Sequence, residues 1–184
     1  DVERAHPVVR RDPNGSRGAL FVNPIYTTRF ADMTEEESRP LSAIVSGQRG
    51  DTDPVTNQDV KVRRDLFLSD PEIVREISTL VGKRVIPEMM KVFDYKAKRF
   101  EQMRVGCYDA SSGGHFAPHR DNTTPLTEHR RYALTLNLNT GDYEGGYLTF
   151  PEYGAQLFNP DVGGAVVFSC SLLHEATPVI HGRR

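Results

Sequence analysis

His119-Arg-Asp121 sets an imidazole and a carboxylate two positions apart. On a strand, residues i and i+2 share one face, so this pair can converge on a single ion. Alone the triplet says little, because His-x-Asp recurs by chance. His174 adds a second imidazole, on a strand-like stretch that follows Pro160-Asp-Val-Gly-Gly-Ala-Val-Val-Phe-Ser169. Two histidines and one carboxylate make a facial set that holds Fe(II) and leaves coordination positions open for a cosubstrate and dioxygen. Arg183 and Arg184 follow Pro178, Val179 and Gly182. A guanidinium there can hold a carboxylate through two hydrogen bonds.

Other chemistries fit less well. His119-Arg-Asp121-Asn122 also spells the start of a protein-kinase catalytic loop, but Leu126 stands where that loop needs Asn. Neither a Gly-rich loop nor Asp-Phe-Gly is present, which excludes kinase chemistry. A zinc hydrolase would carry a helical His-Glu-x-x-His, which is missing. His115 and His119 are four apart, yet Gly113, Gly114 and Pro118 argue against a helix, so His115 is expected in a loop. Cys107 and Cys170 lie in apolar runs and read as two reduced, buried thiols. His129-Arg-Arg131 is a small basic cluster without interleaved aromatics, expected to be solvated surface.

The elements that must position these groups come from a chain of 184 residues, which argues for one domain with or without an appended segment. Lys and Arg number 23 against 25 Asp and Glu, so no global charge draws the chain to nucleic acid or anionic lipid, and neither is an expected partner. No apolar run approaches the ~20 residues of a spanning helix, and no basic start precedes an apolar stretch. A cytoplasmic location is therefore expected, and nothing in the pattern sets an oligomeric state.

Residues 1–17 are polar, with Pro7, Pro13 and Asn14-Gly15, and read as loop; 19–23 reads as a short strand. Thr34 and Glu37 have capping-box spacing, which predicts a helix toward Val45, and the polar stretch 47–59 is the candidate boundary. Ser69-Asp-Pro-Glu72 predicts a second helix start. Ile73, Ile77 and Leu80 form its stripe, and Gly82 is its expected end. Pro87 opens another helix through Met90, Val92 and Phe93. Strand-like runs follow at 103–108, 132–138, 147–150, 165–169 and 177–180, separated by Gly113-Gly114, Thr140-Gly-Asp142 and Gly145-Gly146. Helices preceding strands predict an α+β domain, a sandwich or jelly roll with helices against one face.

Cys107-Tyr108, Gly114, His119-Arg-Asp121-Asn122, Leu136-Asn137, Gly145-Gly146-Tyr-Leu-Thr-Phe150 and the stretch from Leu173-His174 to Arg184 occur in one order. Together they resemble 2-oxoglutarate and Fe(II)-dependent oxygenases of the prolyl 4-hydroxylase-like group, over about residues 71–184. The resemblance implies a double-stranded β-helix (jelly roll) core with N-terminal buttressing helices. It implies His119, Asp121 and His174 as the catalytic iron ligands. Arg184 would pair with the distal carboxylate of 2-oxoglutarate, with Arg183 as the alternative one position away. Tyr108 would reach the same cosubstrate through its hydroxyl, packing within the sheet being the alternative. The implied cofactors are Fe(II), 2-oxoglutarate, O2 and, as an optional reductant, ascorbate. The implied activity is hydroxylation of a prolyl or related side chain of a peptide or protein, with 2-oxoglutarate decarboxylated to succinate. Loops at 122–130 and 152–156 are the expected selectors of substrate. The alternatives are a non-catalytic jelly-roll module that binds a metal or ligand, and a dioxygenase acting on a free amino acid or other small molecule.

His6-Pro-Val-Val-Arg10, the stretch 19–30 and Met33-Thr-Glu-Glu-Glu-Ser38 are similar to an internal segment of taurine dioxygenase-like enzymes, a likeness spanning residues 6–42. In that group the segment lies between the first two iron ligands and the last, so it transfers no site residue here. The expected division is a fused or remnant segment at 1–59 and a dioxygenase domain at 60–184, truncated at its C-terminus.

Overall fold

The computed structural model of the protein describes residues 59–184 in full, together with the backbone of three earlier strands, β1 (Arg10–Arg11), β2 (Gly18–Ala19) and β3 (Ile25–Arg29). The helix expected from Thr34 lies outside the described residues, as do 20–23 of the first expected strand and nearly all of the loop at 47–59. Within the segment read as loop, β1 is a strand, paired antiparallel with β2.

The chain then runs through β4 (Lys61–Val62), β5 (Arg64–Phe67), α1 (Pro71–Arg84), α2 (Ile86–Phe93), β6 (Arg104–Cys107), β7 (His115–His119), β8 (Tyr132–Leu136), β9 (Tyr143–Gly145), β10 (Leu148–Thr149), β11 (Leu157–Phe158), β12 (Gly164–Ser169), β13 (His174–Ala176) and β14 (Val179–Gly182). Asp70 is the cap of α1. Its Oδ1 accepts from the amides of Glu72, at 2.8 Å, and Ile73, at 3.3 Å, while Pro71 occupies a first-turn position that needs no amide partner. The expected stop at Gly82 is not observed, because α1 runs on to Arg84. Pro87 sets the break instead: its ring would collide with the carbonyl four residues back if one helix continued. Val85, fully buried between the helices, anchors the joint. Asp70→Ala is expected to cost about 1 kcal/mol. That lowers the thermal midpoint by about 2–4 °C, whereas Asp70→Ser melts like the parent.

Strands pair antiparallel into a five-stranded sheet in the order β11-β10-β13-β7-β4, a three-stranded sheet β3-β12-β8, and two-stranded pairs β14-β9 and β5-β6. β12 is covered on both faces. Val166 and Phe168 join Leu148, Phe150 and Leu172 in one cluster, while Ala165 and Val167 meet Val81, Val85 and Met89 of the helical stretch in another. A strand buried on both sides reads as an unbroken apolar run rather than an alternation, as this one does.

His115, expected in a loop, opens β7 opposite Val62. Pro118 does not break this strand, because the ladder between β7 and β13 shifts register next to it and leaves a place where no amide is required. Among the described residues, no helix is long and apolar enough to cross a membrane.

Candidate metal centre

His119 is the last residue of β7 and His174 the first of β13, and the two are directly paired across the strands. Asp121 sits beyond the end of β7, in a turn rather than on the strand, and its amide donates to the Cys170 carbonyl at 3.0 Å. The shared-face geometry expected of His119 and Asp121 is thus replaced by a strand end and an anchored turn. One donor atom from each of His119, Asp121 and His174 lies within 4.8 Å of the others. Asp121 faces both rings, with Oδ1 3.6 Å from His119 Nε2 and Oδ2 3.7 Å from His174 Nε2.

Each imidazole is oriented from behind. His119 Nδ1 lies 2.8 Å from the Ala117 carbonyl and His174 Nδ1 lies 3.0 Å from the Leu172 carbonyl. A carbonyl only accepts, so Nδ1 carries the proton in each ring and Nε2 presents its lone pair to the centre. Phe116 stacks on His119 at 3.5 Å between ring centroids, and Phe168 lies 4.6 Å from His174. Burial holds the His119 pKa below the ordinary histidine range, aided by neighbouring His174 and opposed by the Ala117 carbonyl and Asp121. Two neutral nitrogens and one carboxylate suit Fe(II). Cys170 is not among the converging donor atoms, and burial together with the nearby Asp121 carboxylate pushes its thiol up to about 12. Both cysteines are free, Cys170 buried and Cys107 half-buried.

Tyr108 and Arg184 form a second constellation. Their backbones exchange two hydrogen bonds, each 2.9 Å, and residues so paired on antiparallel chains project to one side. The Arg184 guanidinium carbon lies 5.5 Å from the Tyr108 ring centroid. Both residues border the same cavity as His119, Asp121 and His174, a space of about 1410 Å³. Gly146 makes room: a Cβ there would lie 2.9 Å from Arg184 Cδ, and its φ of +62° suits glycine. Arg183 has a different partner. Its Nε donates to Asp109 Oδ2 at 2.9 Å, and its side chain is 65% exposed.

Two groups escape the sequence reading. Arg63, between β4 and β5, donates from Nη1 to the Tyr108 hydroxyl at 3.0 Å, and Asp65 holds it in turn. Arg120 ties the turn of Asp121 to the segment before His174: its guanidinium reaches the Ser171 carbonyl and Glu152 Oε1, while Glu152 Oε2 accepts from the Leu173 amide at 3.3 Å. Glu152→Gln weakens the charged part of this clamp. The expected result is faster hydrogen exchange at the Leu173 amide, with the thermal midpoint little changed. His129 and Arg130, expected as solvated surface, are paired with Glu101, each at 2.8 Å, and border the same cavity as the three candidate ligands, with Arg130 Nη1 donating to the Asp121 carbonyl at 3.5 Å.

Residues 103–184 match the family model described as the 2OG-Fe(II) oxygenase superfamily. A PKHD-type hydroxylase from Saccharophagus degradans is 36% identical over 86 residues, which cover 42% of this chain and 37% of that protein. The chain therefore spans little more than a third of the curated relative's length. Among solved structures, a Trichoplax adhaerens prolyl hydroxylase in complex with a hypoxia inducible factor peptide fragment is similar at a TM-score of 0.64. It is 18% identical, over 88% of this chain and 80% of that one. A viral collagen prolyl hydroxylase from Paramecium Bursaria Chlorella virus-1, in its 2OG complex, gives 0.64 and 18% over 87% and 91%. A Pseudomonas putida prolyl-4-hydroxylase gives 0.62 and 17% over 87% and 88%. These three share the jelly-roll fold with the antiparallel sheets described above. In sequence, residues 103–184 are thus similar to the 2OG-Fe(II) oxygenase superfamily, and in fold the chain is similar to the three solved prolyl hydroxylases.

Proposed function

We propose that residues 60–184 form an Fe(II)- and 2-oxoglutarate-dependent dioxygenase domain that hydroxylates a prolyl or related side chain of a peptide or protein. The observation that carries this reading is the convergence of His119, Asp121 and His174 at the cavity that Tyr108 and Arg184 also border. Bound Fe(II) supplies the redox chemistry by which dioxygen is divided between two products. One oxygen atom enters succinate as carbon dioxide leaves 2-oxoglutarate, and the other becomes the substrate hydroxyl.

The chain's own residues hold and orient. His119 and His174 offer neutral nitrogens, and Asp121 offsets part of the ion's charge. Arg184 pairs with the far carboxylate of 2-oxoglutarate, and Tyr108 donates its hydroxyl to the same end. The packed rings of Phe116 and Phe168 keep water from one side of the centre. We read α1 and α2 as the N-terminal buttress of the sheet, since Val81, Val85 and Met89 cluster with Ala165 and Val167. A peptide or protein substrate is supported by the solved prolyl hydroxylase complex with a peptide fragment. Ascorbate would act as an auxiliary reductant.

The test is an anaerobic titration of apoprotein with Fe(II) and then 2-oxoglutarate, followed by admission of air with proline-containing peptides. The expected result is a visible charge-transfer band, then succinate and a hydroxylated peptide in equal amounts. A folded sample that binds neither iron nor the 2-oxo acid would instead be a binding module. One that holds zinc tightly and hydrolyses esters or amides would be a hydrolase.

A further inference from the structure

Arg63 is a cation with little access to water. Its side chain is 13% exposed, and a guanidinium in that position requires partners. Asp65, 6% exposed, provides them: Arg63 Nη2 donates to Oδ2 at 2.8 Å, and Nε lies 2.6 Å from Oδ1, out of line for a hydrogen bond. Lys61 and Arg104 approach the same carboxylate at 3.5 and 3.8 Å, so Asp65 is the anchor of a cluster whose net charge is positive.

The remaining arm of the fork, Nη1, meets the Tyr108 hydroxyl at 3.0 Å. A guanidinium has no lone pair to offer and stays protonated, so the phenol oxygen accepts in this bond. The phenol proton must then point away from Arg63. Among the described residues, no acceptor takes it, although Tyr108 is only 8% exposed. A buried hydroxyl with its proton unplaced is unusual and marks a position where a ligand acceptor belongs. The Arg63 and Arg184 guanidinium carbons each lie 5.5 Å from the Tyr108 ring, so this end of the cavity is a cradle for an anion.

We propose that Arg63, clamped by Asp65, is a positioning residue that fixes the Tyr108 hydroxyl as a donor to the distal carboxylate of the cosubstrate. This rests on the dioxygenase reading above. Arg63 itself acts through Tyr108, and its effect is confined to ligands that carry the second carboxylate.

The experiment compares 2-oxoglutarate with 2-oxopentanoate, which keeps the 2-oxo acid but has a methyl group in place of the distal carboxylate. Anaerobic Fe(II) protein is titrated with each, reading the dissociation constant from the charge-transfer band. Loss of one charge-assisted hydrogen bond is expected to weaken 2-oxoglutarate about tenfold in Arg63→Met and in Tyr108→Phe. In the double variant the loss stays near tenfold, because the two residues act as one unit. Affinity for 2-oxopentanoate, and for Mn(II) alone, is expected to be the same in all forms. Arg63→Lys keeps a cation beside Asp65 but lacks the fork, so it folds like the parent and binds 2-oxoglutarate like Arg63→Met. Equal losses for both ligands, losses that multiply in the double variant, or parental affinity in Arg63→Lys would each overturn the role of Arg63. Parent protein that binds neither ligand would overturn the dioxygenase reading itself.

Discussion

Replacing His174 by alanine is expected to abolish both iron binding and turnover, the largest effect of any single substitution here. The ring is 5% exposed, its Nδ1 is tied to the Leu172 carbonyl, and its Nε2 faces Asp121. Mutating a residue that merely supports a metal ligand weakens a site by about 10–100-fold, so loss of the ligand itself should exceed about 100-fold. Titration with Mn(II) or Fe(II) measures this, and circular dichroism checks that the sheet persists. Parental metal affinity in a folded His174→Ala protein would remove the centre from consideration. The same titration on Cys170→Ala should show no change, since the thiol is outside the donor set.

The second large effect separates two adjacent residues. Arg184→Met is expected to weaken 2-oxoglutarate by about 10–100-fold, the worth of a charge-assisted pair to one carboxylate, while Mn(II) affinity holds. Arg183→Met removes the bond to Asp109 and should leave 2-oxoglutarate affinity within about twofold, as fits an exposed ion pair. If Arg183→Met gave the larger loss, the side on which each arginine acts would be reversed.

Spacing in the sequence could not separate these two arginines, for a physical reason. A shift of one residue along a strand turns every side chain to the opposite face, and only the backbone pairing with Tyr108 fixes which face Arg184 takes. The three candidate iron ligands were legible because their residue types are rare together and the apolar stretch of β12 announces a buried strand nearby. Short charged strands were not. Lys61-Val-Arg-Arg-Asp65 received no strand assignment from its sequence, yet it pairs with β7 and β6 and carries the arginine that bonds to Tyr108. His115 was hidden by a local rule about proline that the shifted register of β7 and β13 overrides. The end of α1 was misplaced because a glycine inside a helix is a modest penalty, whereas Pro87 imposes a steric stop.

The pairing of His119 with His174 also has a bearing on how the molecule is made and kept. These rings belong to stretches synthesised far apart in time, and neither can grip an ion tightly until β13 has zipped onto β7. On the dioxygenase reading, metal loading therefore waits until the stretch carrying His174 has been made and paired. An ion bound there would act as a clasp across that seam, resisting its opening in proportion to its own affinity and supply. On the dioxygenase reading, the iron-free protein is expected to open that seam more readily, seen as faster hydrogen exchange at the amides of β7 and β13.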